Sequence, residues 1–210
     1  MGDEDPFERN VFINCPFDAR YLPLLQPLLF TVVSLGFTPK IALDRSDSAE
    51  LRLDKISWLI QQSRFSIHDL SRIQAARKGK FSRMNMPFEF GIDYGCRLYG
   101  RGKLKSKACL ILSKRQFEHM RAISDVAGID AKHHNDHPPE LVRQVRNWFV
   151  ETVGVSGVPS ASSLWYRFTD FMTDFYEKRV AEGFSPDDLN SMPVREFVNF
   201  ILSWTKAGNA

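Results

Sequence analysis

Phe65-Ser-Ile-His-Asp-Leu70 and Ala108-Cys-Leu-Ile-Leu-Ser113 read as buried β-strands, the second with the continuous apolar character of a strand covered on both faces. Between them, residues 71–86 form a long polar stretch rich in Arg, Lys and Gln. Pro87 then suits the first position of a helix running to about Tyr99, with Gly100 and Gly102 beyond it. Upstream, Val11-Phe-Ile-Asn-Cys15 is another strand, ended by Pro16 and Asp18. Tyr21, Leu24, Leu25, Leu28, Leu29, Val32 and Val33 follow helical spacing up to Gly36, a C′ residue. Pro23 fits an opening turn, whereas Pro27 implies a kink or a late helix start. Residues 38–43 make the next strand. Asp47-Ser-Ala-Glu50 looks like a capping box, opening a helix with a core stripe of Leu53, Ile56, Leu59 and Ile60. Strands alternating with helices imply βαβ crossovers, hence an α/β protein whose parallel sheet has about four to five strands and helices on both faces.

Beyond Ser113 the pattern changes. Residues 124–137 hold Asp125, Asp130, His133, His134, Asp136 and His137 and read as an irregular loop. Helical spacing returns from Pro139, at Leu164, Phe168, Phe171 and Phe175, and from Pro193. The organisation expected is an α/β nucleotide-binding core over residues 1–120, with a loop and helical C-terminal appendage over 121–210 packed on it. The stripe Phe168, Phe171, Phe175 is most simply helix-packing core, and its excess leaves room for a homodimer face.

Composition narrows the classes. With 210 residues, 43% hydrophobic and 25% charged, the chain is neither disordered, collagen-like nor a long coiled coil. The longest apolar run, over residues 24–35, is shorter than the roughly 18 residues of a membrane span. The acidic start lacks an apolar h-region, and Pro6 stands where a myristoylation signal wants Ser or Thr. Cys15, Cys96 and Cys109, odd in number and in apolar settings, suit a reducing cytoplasm. Net charge is only +3, although residues 72–115 are markedly basic, with Arg77, Lys78, Lys80, Arg83 and Lys107 among the cations. No nucleic-acid signature accompanies that stretch, so no nucleic-acid partner is expected.

In a doubly wound sheet a ligand lies beyond the carboxyl ends of the strands, where strand order reverses. The residues there are Asn14, Cys15, Pro16 and Phe17 after the first strand, and His68 and Asp69 at the end of the third. Asn85, Met86 and Glu89 open the following helix. Neither G-x-G-x-x-G nor a P-loop is present. Glu89 falls in the first helical turn by this reading, between Phe88 and Phe90, with Asp93 one turn on. His68 points opposite to Asp69, as a core or supporting histidine. His133, His134 and His137 with Asp130 and Asp136 offer metal-binding side chains. Their spacing matches no standard zinc pattern, so neither metal nor cofactor is expected. Arg45 and Arg52 flank the apparent capping box, either as contacts for a ligand phosphate or as solvated surface cations.

Ile-His-Asp-Leu-Ser ending a strand, Asn-Met-Pro-Phe-Glu-Phe-Gly-Ile-Asp-Tyr-Gly opening a helix, and Phe-Ile-Asn-Cys-Pro-Phe at the first strand together resemble the nucleoside 2-deoxyribosyltransferase family. TIR domains, which share the flavodoxin-like architecture and cleave NAD with a glutamate, are wider relatives. The resemblance spans residues 11–113 and departs at Met86-Pro87, where the transferases carry a Gly-Thr pair. It implies a flavodoxin-like fold and a nucleoside, nucleotide or NAD-like ligand. It makes Glu89 the group acting at C1′ and Asp69 an acid/base or ribose-orienting carboxylate. Asn14, Cys15, Pro16, Phe17, His68, Asn85, Met86 and Asp93 would line the ligand, with Glu89 and Asp69 around one shared cavity. The activity implied is N-glycosidic cleavage, by hydrolysis or ribosyl transfer, because a carboxylate can trap or stabilise an oxocarbenium-like centre. The alternative is a non-catalytic nucleotide-sensing or protein-interaction module of the same fold.

Overall fold

Side chains leave a strand on alternate faces, and the first strand shows what each face meets. In β1 (Asn10–Asn14), Val11 and Ile13 join one core cluster and Phe12 another. The computed structural model describes residues 5–44, 47–73, 84–121, 123–126 and 128–208. β2 (Thr38–Lys40), β3 (Phe65–Asp69), β4 (Ala108–Ser113) and β5 (Lys132–His133) complete a five-stranded sheet ordered β2-β1-β3-β4-β5, every pair parallel. This is a flavodoxin-like α/β fold, and its strand order reverses at β1 and β3. Ile13 lies opposite Ile67 and Ile67 opposite Leu110, one apolar row on one face of the central strands, while the other face carries the Asn14–His68–Ile111 row.

α1 (Leu22–Ser34) is buried nearly all round, from Leu24 to Val33. The reason is a cover on both sides: the sheet beneath, and α4 (Pro138–Trp148), α5 (Ala161–Ala181) and α7 (Val194–Lys206) around it. A helix so placed must be hydrophobic on every face. It runs through Pro27 and ends at Gly36, whose φ of +84° suits glycine. Bonds from Gly36 N–H to Val33 and from Phe37 N–H to Val32 close it as a Schellman motif. α2 (Arg52–Gln61) and α3 (Asn85–Tyr99) cover the opposite face with Ile56, Leu59, Ile60, Met86 and Phe90.

The Phe168, Phe171, Phe175 stripe packs inward against Phe30, Phe197 and Trp204. α6 (Pro186–Asn190), which has no apolar periodicity to reveal it, follows a true capping box at Ser185 and Asp188. Ser160 caps α5 by accepting the Ser163 N–H at 3.1 Å. Ser160→Ala should therefore lower stability by about 1 kcal/mol in urea unfolding.

Two expectations need correction. Asp47 accepts the Ala49 N–H at 2.9 Å, a local Asx-type turn that competes with helix capping. α2 consequently starts only at Arg52, without a side-chain cap, and Leu53 is exposed while Lys55 takes a buried place. The supposed irregular loop contains β5, too short and polar to announce itself, paired through Ser113 and His133. Among the described residues no helix is long and apolar enough to cross a membrane.

Candidate active site

Met86, Glu89, Phe90 and Asp93 are the buried residues of α3, one stripe at helical spacing. The helix begins at Asn85, two residues before the expected start at Pro87, and its first turn holds no acidic residue. Glu89 thus sits two residues deeper than the sequence suggests, in the second turn, where the helix dipole contributes less. Side chains hold it instead. Asn85 Nδ2 donates to Glu89 Oε1 at 3.3 Å, and an Arg52 guanidinium nitrogen lies 3.6 Å from the same oxygen. Glu89 is 5% exposed. Burial pushes its carboxyl above the usual value, against the opposing pull of Asn85 and Arg52.

Behind Glu89 runs a buried polar chain. Asn14 Nδ2 donates one hydrogen to His68 Nδ1 and one to the Met86 carbonyl, both at 3.1 Å. The His68 ring hydrogen therefore sits on Nε2 and is donated to Asp93 Oδ2 at 2.9 Å. Lys107 stands 3.0 Å from Asp93 Oδ1 and also donates to the carbonyls of Ile60, at 2.8 Å, and Ser63, at the end of α2. Burial alone would raise Asp93, but the His68 hydrogen bond and the charge of Lys107 outweigh it and hold the carboxyl at about 2. The Asn14 Oδ1 has no hydrogen-bond partner among the described residues.

Asp69 belongs to a different network. Its Oδ2 accepts from the Tyr21 hydroxyl and from His134 Nε2 at 3.1 Å, and its Oδ1 accepts the Ser71 N–H at 2.8 Å. His134 Nδ1 in turn accepts the Asp136 N–H at 3.1 Å, which leaves the ring hydrogen on Nε2. Burial works to raise Asp69, yet His134, Ser71 and Tyr21 together bring it below the ordinary value. Burial and the Asp69 charge push the Tyr21 hydroxyl well up. Because side chains alternate along β3, Asp69 faces Tyr21 and the start of α4, while His68 faces α3. Asp69 and Glu89 therefore project toward opposite faces of the sheet. The expectation of one shared cavity gives way to two separate networks.

The other candidates sort by burial. Cys15 and Pro16 are buried after β1, Cys15 within the main core, and Phe17 packs against that core half-buried. Asn85 is exposed at the start of α3, and Met86 is buried under it. Arg45, Arg77, Lys78, Lys80 and Arg83 lie outside the described residues. Donor atoms of His68, Asp93 and Cys109 approach within 4.8 Å, the right residue types for a metal. Lys107 already supplies the positive charge there, and burial with the Asp93 charge pushes the Cys109 thiol up to about 12. That donor set does not suit a cation. Sequence reading missed Tyr21, Lys107 and His134 as polar partners, having taken them for core, basic stretch and surface loop. No family model, curated protein or solved structure matches the chain.

Proposed function

We propose that the chain binds a nucleoside, nucleotide or NAD-like ligand beyond the carboxyl ends of β1 and β3 and cleaves its N-glycosidic bond with Glu89. One observation carries this reading. Of the three buried carboxylates on β3 and α3, Asp69 has both oxygens hydrogen-bonded and Asp93 is hydrogen-bonded by His68 and ion-paired with the buried Lys107, whereas among the described residues Glu89 is held only by a long hydrogen bond and a half-exposed arginine. A poorly solvated carboxylate beside a strand-order reversal is placed to meet a developing cation. The Glu89 carboxylate stabilises or bonds C1′ as the C1′–N bond breaks, and the electron pair leaves with the base. Water then takes C1′, its proton passing to the departed base or to solvent, and the carboxylate is regenerated. Asp69 acts in this reading only through Tyr21 and His134, as a positioning residue for the loop after β3.

The experiment is release of free base from a panel of nucleosides, nucleotides and NAD. Glu89→Gln should lower it by at least about a hundredfold while leaving the melting temperature within a few degrees. Activity that needs the ionised carboxylate should rise with pH through a point above the ordinary glutamate value, because burial raises that group. Full base release by Glu89→Gln would reject the reading.

The sealing of Asp69 and Asp93, both without exposed surface, favours a second reading, a nucleotide-sensing module without chemistry. Thermal stabilisation by a nucleotide with no product over hours would select it.

A further inference from the structure

The helical C-terminal part forms a half-open cavity that the proposed activity does not use. It lies between α5 and α7 and has a volume of about 470 Å³. The rings of Phe171, Phe175, Phe200 and Trp204 form its walls. They brace one another, with centroids 5.6 Å apart for Phe171–Trp204 and 5.5 Å for Phe175–Phe200. Small-molecule sites are typically concavities of roughly 300–1,000 Å³ with aromatic linings and a few convergent polar groups.

The polar groups here are unevenly distributed. The ring pairings run Phe171 with Trp204 and Phe175 with Phe200, so α5 and α7 are antiparallel. Lys178 and Arg179 consequently mark the end beside Phe200, and Asp174 and Ala207 the end beside Trp204. The Asp174 carboxylate accepts the Trp204 indole N–H at 2.7 Å. Ala207 closes α7, whose last carbonyls add partial negative charge at that end. Arg179 is 8% exposed, stacks 4.2 Å from the Phe200 ring and is held through both terminal nitrogens by Glu182. Its Nε–H is buried and has no hydrogen-bond partner among the described residues.

We propose that this cavity binds a small amphipathic monocarboxylate. Its apolar body lies among the four rings, and its carboxylate meets the Lys178 ammonium at the end of the cavity marked by Lys178 and Arg179. Asp174 and the end of α7 disfavour a second carboxylate at the far end. The two cations disfavour an ammonium ligand, despite the attraction of aromatic rings for positive charge.

Titration calorimetry with phenylpropionate, phenylpropanol and phenylpropylamine tests this on the full chain. The acid should saturate with a Kd below about 1 mM, and the alcohol and amine should bind at least about tenfold more weakly. Lys178→Glu, at an exposed position, should weaken the acid about tenfold and leave the alcohol unchanged. Ser203→Trp, from an exposed wall position, should fill the cavity and abolish binding of all three, with circular dichroism confirming an unchanged fold. The proposal is overturned by a folded wild-type protein that shows no saturable acid binding. Equal affinity for the alcohol, tighter binding of the amine, or acid binding untouched by both variants would overturn it too. So would a concentration-dependent dimer, lost in Ser203→Trp, with no carboxylate bound, which would make a second copy the occupant.

Discussion

Lys107→Met is expected to destabilise the protein by roughly 3–5 kcal/mol at neutral pH, measured by urea unfolding. The Lys107 ammonium, without exposed surface, does two things at once. It neutralises Asp93 and donates to the carbonyls of Ile60, in the last turn of α2, and Ser63, just beyond it. Methionine fills similar space but leaves a carboxylate uncompensated and those carbonyls unpaired. Asp93→Asn combined with Lys107→Met should recover part of the loss, because the double replacement removes the stranded charge. Strict additivity of the two single changes in a double-mutant cycle would contradict this account.

The pH dependence has a definite sign. Asp93 titrates at about 2 in the folded protein, below its ordinary value of 3.8. It thus contributes stability that is fully present above the ordinary value and lost as pH falls toward 2, about 2 kcal/mol in all. Without Lys107 the folded carboxyl rises and accepts a proton more readily. The stability gap between Lys107→Met and the wild type should therefore narrow between pH 7 and about pH 3.

Asp69→Asn should cost roughly 2–4 kcal/mol, the second large effect. The Tyr21 hydroxyl, His134 Nε2–H and Ser71 N–H all converge on the Asp69 carboxylate. A carboxylate has two accepting oxygens, whereas an asparagine has one oxygen and an NH₂ group. Either orientation of the amide sets donor against donor in a site without water access. Tyr21→Phe, which removes a single donor, should cost only about 1–2 kcal/mol by the same measurement. If Asp69→Asn were neutral, the network would not brace the junction of β3, α1 and β5. Loss of activity in Asp69→Asn alone would say little about chemistry, which is why Glu89→Gln bears the functional test.

The local pattern of residues already specified much of this protein. The strand–helix alternation, Gly36 at the end of α1 and the common face of Glu89 and Asp93 follow from periods of two and 3.6 residues, which operate within a few neighbours. The turn at Asp47 and the start of α3 at Asn85 escaped, because a short polar side chain can cap a turn as readily as a helix and because proline fits several first-turn places. β5 escaped for want of length.

What only the packed chain could decide was the partner of each buried polar group. Tyr21 and His134 stand 48 and 65 positions from Asp69 and meet it only when α1, β3 and β5 assemble on one face. Lys107 leaves the basic stretch for Asp93 in the same way. Apolar burial is nondirectional and leaves a periodic trace along the chain, whereas hydrogen bonding needs atoms brought within about 3 Å, whatever their separation in sequence.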